Sequence, residues 1–192
     1  MNEELLQEIK STLPWLLVAA LAVGGYYGVK NYRASKKAAA SQAVSCTYTT
    51  DEVEEAVSKF GSSDAGGVLK LRLAKKYYDE ARFEEALDQY EAAAKAAPDG
   101  FGDIPAVGRA QCLEALQKYD DALAAYSDFA EANPKSCLAL TARIGALRVT
   151  ALKGDQPKAL EGLKALKETL KDDEMAKLRV EKAEGVVKRL AK

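Results

Sequence analysis

Two stretches of this chain superimpose at one fixed offset. LKLRLAKKYYDEARFEEALDQYEAAAKAAP and VGRAQCLEALQKYDDALAAYSDFAEANP place Phe83 on Tyr119, Ala86 and Leu87 on Ala122 and Leu123, Tyr90 on Tyr126, and Pro98 on Pro134, each difference being 36. A weaker third copy, KGDQPKALEGLKAL, sets Ala159 and Leu160 a further 37 residues on. A period of this length is one helix-turn-helix unit, and units that cannot bury their apolar faces alone stack into a solenoid. Small residues at Ala74 or Ala110 in the first helix, and at Ala86, Ala122 or Ala159 in the second, let the two helices of a hairpin approach closely. Phe83 and Tyr119 plug the turn, and Pro98 and Pro134 cannot continue a helix and so end the second one. Alanine, the best helix former and a poor strand former, supplies 35 of the 192 residues. The expected fold is therefore all-α.

A second feature lies outside the repeats. Ser11 to Val29 is an uncharged run of 19 residues bounded by Lys10 and Lys30. At 1.5 Å per residue it reaches about 28 Å, the thickness of a bilayer's hydrocarbon core. Trp15 at one end and Tyr26, Tyr27 and Tyr32 at the other stand where aromatic belts form. A cleaved signal peptide has a shorter core, a basic start and a small-residue cleavage site, whereas this one starts MNEELLQEIK and runs into Tyr and Lys. The expected layout is a short tail over 1–10, a transmembrane helix over 11–30 with Gly24 and Gly28 as a GxxxG packing face, and a helical stalk over 31–50. The repeat domain then fills 51–192, with repeats at about 67–100, 103–136 and 139–172 and a capping helix over 173–192. Thr49 followed by Glu52 predicts a capping box before DEVEEAVSKF, and GSSDAGG over 61–67 predicts a turn. Orientation is in conflict. Lys30, Arg33, Lys36 and Lys37 follow the apolar run, and by the positive-inside rule they place the repeats in the cytosol.

The pattern small, aromatic, x, x, Ala, x, x, x, Tyr, then Pro closely resembles the tetratricopeptide repeat. With the acidic tail, the membrane helix, the Ala-rich stalk and the Gly-led helix GGVLKLRLAKKYYDEARFEEAL, the chain looks like the membrane-anchored tetratricopeptide-like family that includes the ancillary subunit of the bacterial Sec translocon. That resemblance implies a single-pass inner-membrane protein with periplasmic repeats. It also implies translocon subunits, periplasmic chaperones or unfolded exported chains as partners. The alternative is a cytosol-facing anchored repeat receptor for import or assembly.

Repeats of this kind take partners in the groove lined by their first helices. In this register the inward positions are Leu71, Lys75 and Tyr78, then Val107, Gln111 and Glu114, then Ile144 and Arg148. They line a binding groove or pack against neighbouring helices. Leu71 stands where a carboxylate clamp needs Lys and Lys75 where it needs Asn, so that specialised function is not expected.

The remaining chemistry is mostly excluded. With no His, the chain lacks a Ser-His-Asp or Cys-His pair, a His-bearing zinc site and an imidazole base, so no enzyme activity, cofactor, metal or small-molecule substrate is expected. A net charge of −1 does not suit a nucleic-acid partner. Acidic pairs such as Glu84 with Glu85 fall at repeat turns on the exposed side. Charge is uneven along the chain: residues 51–134 hold 9 basic and 18 acidic side chains, and residues 135–192 hold 14 and 8. Cys46, Cys112 and Cys137 show no CxxC or ligand spacing. Their odd number fits a reducing compartment slightly better than the periplasm, with at most one disulfide, and Cys112 is placed to pack as a small apolar residue.

Overall fold

The computed structural model describes residues 3–63, 65–96, 102–171 and 173–190, with side chains from residue 23 onward. The chain divides into two compact units, Met1–Cys46 and Thr47–Lys192. The first is one 44-residue helix, α1 (Glu3–Cys46). It ends four residues short of the stalk boundary expected at 50, because Thr47 to Thr49 leave the helical path and Thr50 already begins the next helix. Among the described residues no helix is long and apolar enough to cross a membrane. Most of the expected span over 11–30 has its side chains outside the described residues, as does Pro98. Gly24 and Gly28 are described, and an added Cβ at either would meet nothing within 4 Å.

The second unit is a stack of helices. α2 (Thr50–Phe60) opens with the expected capping box: Thr49 accepts from the Glu52 N–H, and the Glu52 carboxylate accepts from the Thr49 N–H at 3.0 Å. These backbone donors, that of Tyr48 first, hold the Glu52 carboxyl below its ordinary range. α3 (Gly66–Asp79) starts inside the expected turn, and then follow α4 (Phe83–Ala94), α5 (Asp103–Ala115), α6 (Tyr119–Ala132), α7 (Ala139–Leu152), α8 (Gln156–Thr169) and α9 (Glu174–Arg189). Each helix packs on the next, and α3 touches α5, α5 touches α7, and α7 touches α9. The unit therefore has two layers, a first-position row of α3, α5, α7 and α9 and a second-position row of α2, α4, α6 and α8. α9, expected as a cap, takes the first-helix place of a fourth unit, and α2 the second-helix place of a unit before the first repeat.

The small residues at the helix crossings are all closed to solvent. Ala74, Ala86, Ala110, Ala122 and Ala159 are each 0% exposed. Larger side chains fill the space between hairpins, with Tyr90, Tyr126 and Leu163 buried at matching places in α4, α6 and α8. Tyr78 stacks edge-on against Phe83 at 5.3 Å between ring centroids, so the plug at the first turn is a pair of aromatics.

All three hairpin turns share one construction. The Arg82 N–H donates to the Tyr77 carbonyl at 2.9 Å, the Lys118 N–H to that of Leu113 at 2.9 Å, and the Asp155 N–H to that of Thr150 at 3.1 Å. These are 6→1 closures of the Schellman type, which require a left-handed residue just before the donor. Gly154 holds that place in the third hairpin at φ 98°, but Ala81 at φ 60° and Gln117 at φ 59° hold it in the first two. A side chain there costs on the order of 1 kcal/mol. Ala81→Gly is expected to raise stability by about 0.5–1 kcal/mol, the gain reduced by the greater freedom of glycine when unfolded. A denaturant midpoint that falls would show the turn to be closed differently.

Candidate partner-binding groove

The first-position row carries the residues expected to face inward. α3 supplies Leu71, Lys75 and Tyr78, α5 supplies Val107, Gln111 and Glu114, and α7 supplies Ile144 and Arg148. Their placement is not uniform. Leu71, Val107 and Ile144 are 8%, 4% and 8% exposed and belong to the apolar core, so they form the floor of this face rather than accessible contacts. Lys75 stands exposed and pairs with Asp79 one turn on.

The centre is a closed polar cluster. Arg148 donates to both oxygens of Glu114, Nε to Oε1 at 2.5 Å and an Nη to Oε2 at 2.6 Å. The Tyr126 hydroxyl, reaching through from α6, donates to the same Glu114 Oε2 at 3.0 Å. One carboxylate thus ties three helices together with a two-pronged guanidinium bond of the strong, oriented kind. Glu114 raises the Arg148 guanidinium above its ordinary pKa. Burial, and then the negative charge of Glu114, push the phenols of Tyr126 and Tyr78 up. Glu114 and Arg148 are therefore spent largely on each other, whereas the Gln111 side chain and the Tyr78 hydroxyl form no hydrogen bond among the described residues.

Two hollows indent this face. One of about 290 Å³ is lined by Gln111, Ile144 and Arg148 together with Arg179, Lys182 and Val186 of α9. The other, about 400 Å³, lies over α3 and the start of α5, among Val68, Leu71, Lys75 and Ile104. Of the expected groove residues, Leu71 and Lys75 thus line one hollow and Gln111, Ile144 and Arg148 the other, while Val107, Tyr78 and Glu114 line neither. Arg179 and Lys182 were absent from the sequence expectation because α9 carries no turn aromatic or terminal Pro to reveal its register. The structure ties Arg179 to α7, its guanidinium donating to the Thr141 hydroxyl at 2.6 Å. A third hollow, about 520 Å³, opens between α6, α7 and α8 with Ser127, Arg143 and Leu147 in its wall, away from every expected groove position. Among the described residues no cluster of three His, Cys, Asp or Glu is placed to hold a metal ion.

Cysteine placement matches the packing expectation. Cys112 is 0% exposed, and burial raises its thiol to about 12, while Cys46 and Cys137 are exposed and all three are free. Burial likewise raises Tyr77 and Tyr90 to about 12, Glu54 adding to the effect at Tyr77. A phenol held protonated in the fold stabilises it fully below its unfolded pKa, near 10, and that contribution is lost as pH climbs toward the folded value. Each such tyrosine is expected to cost about 1.4 kcal/mol per pH unit across that window. Denaturant midpoints should therefore fall steeply between about pH 10 and about pH 12, in step with tyrosinate absorbance; a flat profile would mean these phenols ionise freely.

With this geometry established, the class is a helical repeat protein of the tetratricopeptide-like kind. Two crystal structures of nearly identical TPR-like repeats, from a protein assigned as a kinesin light chain in Podosopora anserina, share its fold. One, of a single-substitution variant, aligns with a TM-score of 0.57 at 12% identity, and the other with 0.55 at 14%; each alignment covers 82% of this chain and 85% of the other. No protein-family model matches the chain, and no curated protein matches it in sequence.

Proposed function

We propose that this protein is a membrane-tethered scaffold for protein–protein interaction, associated with the export translocon and holding exported chains or periplasmic chaperones on its first-position face. The observation that carries the reading is that face itself: indented, floored by aliphatic side chains, and set with polar side chains of which those of Gln111 and Tyr78 form no hydrogen bond among the described residues. Solenoids present surfaces of this type to extended partners. The tether rests on the uncharged run over 11–29 and its flanking aromatics. The translocon association rests on the resemblance of the whole layout.

A photoreactive residue in place of Gln111, activated in native membranes, should capture translocon subunits or chaperones; capture of neither would sink the export role. The second reading, a cytosol-facing anchored receptor, draws support from Lys30, Arg33, Lys36 and Lys37. Thiol labelling separates the two. In intact spheroplasts a membrane-impermeant maleimide should modify the exposed Cys137, while the buried Cys112 stays unreacted until denaturation and so serves as an internal control. Labelling of Cys137 only after lysis would reverse the orientation.

A further inference from the structure

Charge in the second unit is sorted by layer more sharply than by position along the chain. The first-position helices α3, α5, α7 and α9 hold 12 basic and 6 acidic side chains, whereas α2, α4, α6 and α8 hold 4 and 14. The excess of acid that the sequence shows over 51–134 belongs mainly to α2, α4 and α6, the second-position layer. Such a separation gives the two faces opposite potentials and steers a charged partner to one of them.

The basic layer is also the indented one. The hollow of about 290 Å³ is lined by the exposed Arg179 and Lys182 together with Ile144, Ala183 and Val186. Lys182 makes no ion pair among the described residues. Gln111 on the same hollow, and the Tyr78 hydroxyl beside the Glu114–Arg148 pair, offer unsatisfied hydrogen-bond donors. Cations above an aliphatic floor, with neutral donors alongside, form a set complementary to carboxylates that alternate with aliphatic side chains on a strand-like backbone.

We infer that the first-position face takes an acidic segment of a partner protein, in which Asp or Glu alternates with Leu, Ile or Val. Its carboxylates meet Arg179 and Lys182, its aliphatic side chains enter the hollow, and its backbone carbonyls accept from Gln111 and Tyr78. This inference rests on the scaffold reading and specifies the partner's chemistry. A bilayer of anionic lipid would meet the same cations, but its flat headgroup surface does not fill an indented aliphatic floor.

The test uses the full chain in detergent micelles and fluorescein-labelled decapeptides, one alternating Glu with Leu and one alternating Lys with Leu, read by anisotropy. The acidic peptide should bind, weaken as ionic strength rises past ~0.15 M, and lose at least about tenfold in affinity to R179E/K182E, two exposed positions whose reversal leaves the helical circular dichroism unchanged. Glu84→Lys with Asp88→Lys, on the opposite layer, should leave its affinity unaltered. Equal binding of the lysine peptide, or no effect of R179E/K182E, would overturn the inference, as would charge-dependent binding to anionic vesicles without binding to the peptide. Capture of export partners through the hollow between α6, α7 and α8 would keep the scaffold reading while overturning this one.

Discussion

Gly145→Val is expected to destabilise the repeat unit by about 3 kcal/mol, among the largest effects any single substitution here should produce. A Cβ at Gly145 would lie 2.6 Å from Cζ of Tyr126 and within 2.8 Å of two further ring atoms. That ring is 1% exposed, and its hydroxyl is held by Glu114 at 3.0 Å, so it cannot swing away without surrendering the bond. Glycine in a helix interior ordinarily costs up to about 1 kcal/mol relative to alanine, so the helix itself favours replacement. The clash must outweigh that preference, which makes a graded series informative. Gly145→Ala should lose about 1–2 kcal/mol. Gly162→Ala should cost far less, because its nearest neighbour is the rotatable Cδ2 end of Leu147, and Gly185→Ala, which meets only the tip of Arg189 at 3.9 Å, should stabilise. For a unit of this size a loss of about 3 kcal/mol corresponds to roughly 6–12 °C in Tm. A Tm for Gly145→Val within a degree or so of the parent would mean that α7 slides away from α6 at little cost.

The same contact shows what sequence reading can and cannot reach. Gly108 sits against Tyr90 as Gly145 sits against Tyr126. The tyrosines were legible as part of the period, and so were the buried alanines at 86, 122 and 159, because each recurs within its own hairpin. The glycines oppose tyrosines of the preceding hairpin, a relation between units that a single repeat does not contain; the recurrence of a glycine 18 and 19 residues after each tyrosine is its only trace. The left-handed turns at Ala81 and Gln117 left no trace, since neither is the residue such a turn prefers. The expected groove positions all fall on the first-position helices, but the register does not tell which side chains there are already committed. Leu71, Val107 and Ile144 went to the core, and Glu114 with Arg148 to each other.

That commitment gives Glu114 two opposite roles. Replacing Glu114 by Ala strands the Arg148 guanidinium and the Tyr126 hydroxyl together, and losing one partner of a buried pair costs about 3–5 kcal/mol. Arg148 keeps a third of its side chain in contact with water, at 33% exposure against 13% for Glu114, so solvent recovers part of the loss and about 2–3 kcal/mol is expected. Glu114→Gln retains an acceptor for Tyr126 and should lose about half as much. Adding Arg148→Met to Glu114→Ala removes the stranded charge, so the double variant should be more stable than Glu114→Ala alone. Binding should move the other way. With its carboxylate gone, Arg148 becomes a free cation in the hollow that Arg179 and Lys182 line, and the folded Glu114→Ala protein should hold the acidic peptide severalfold more tightly than the parent does. Stability and peptide affinity measured on one preparation thus decide the role of the pair. A loss of both would make Glu114 itself a contact for the partner, whereas a loss of the first with a gain of the second makes it the brace that fixes the groove and holds one of its cations in reserve.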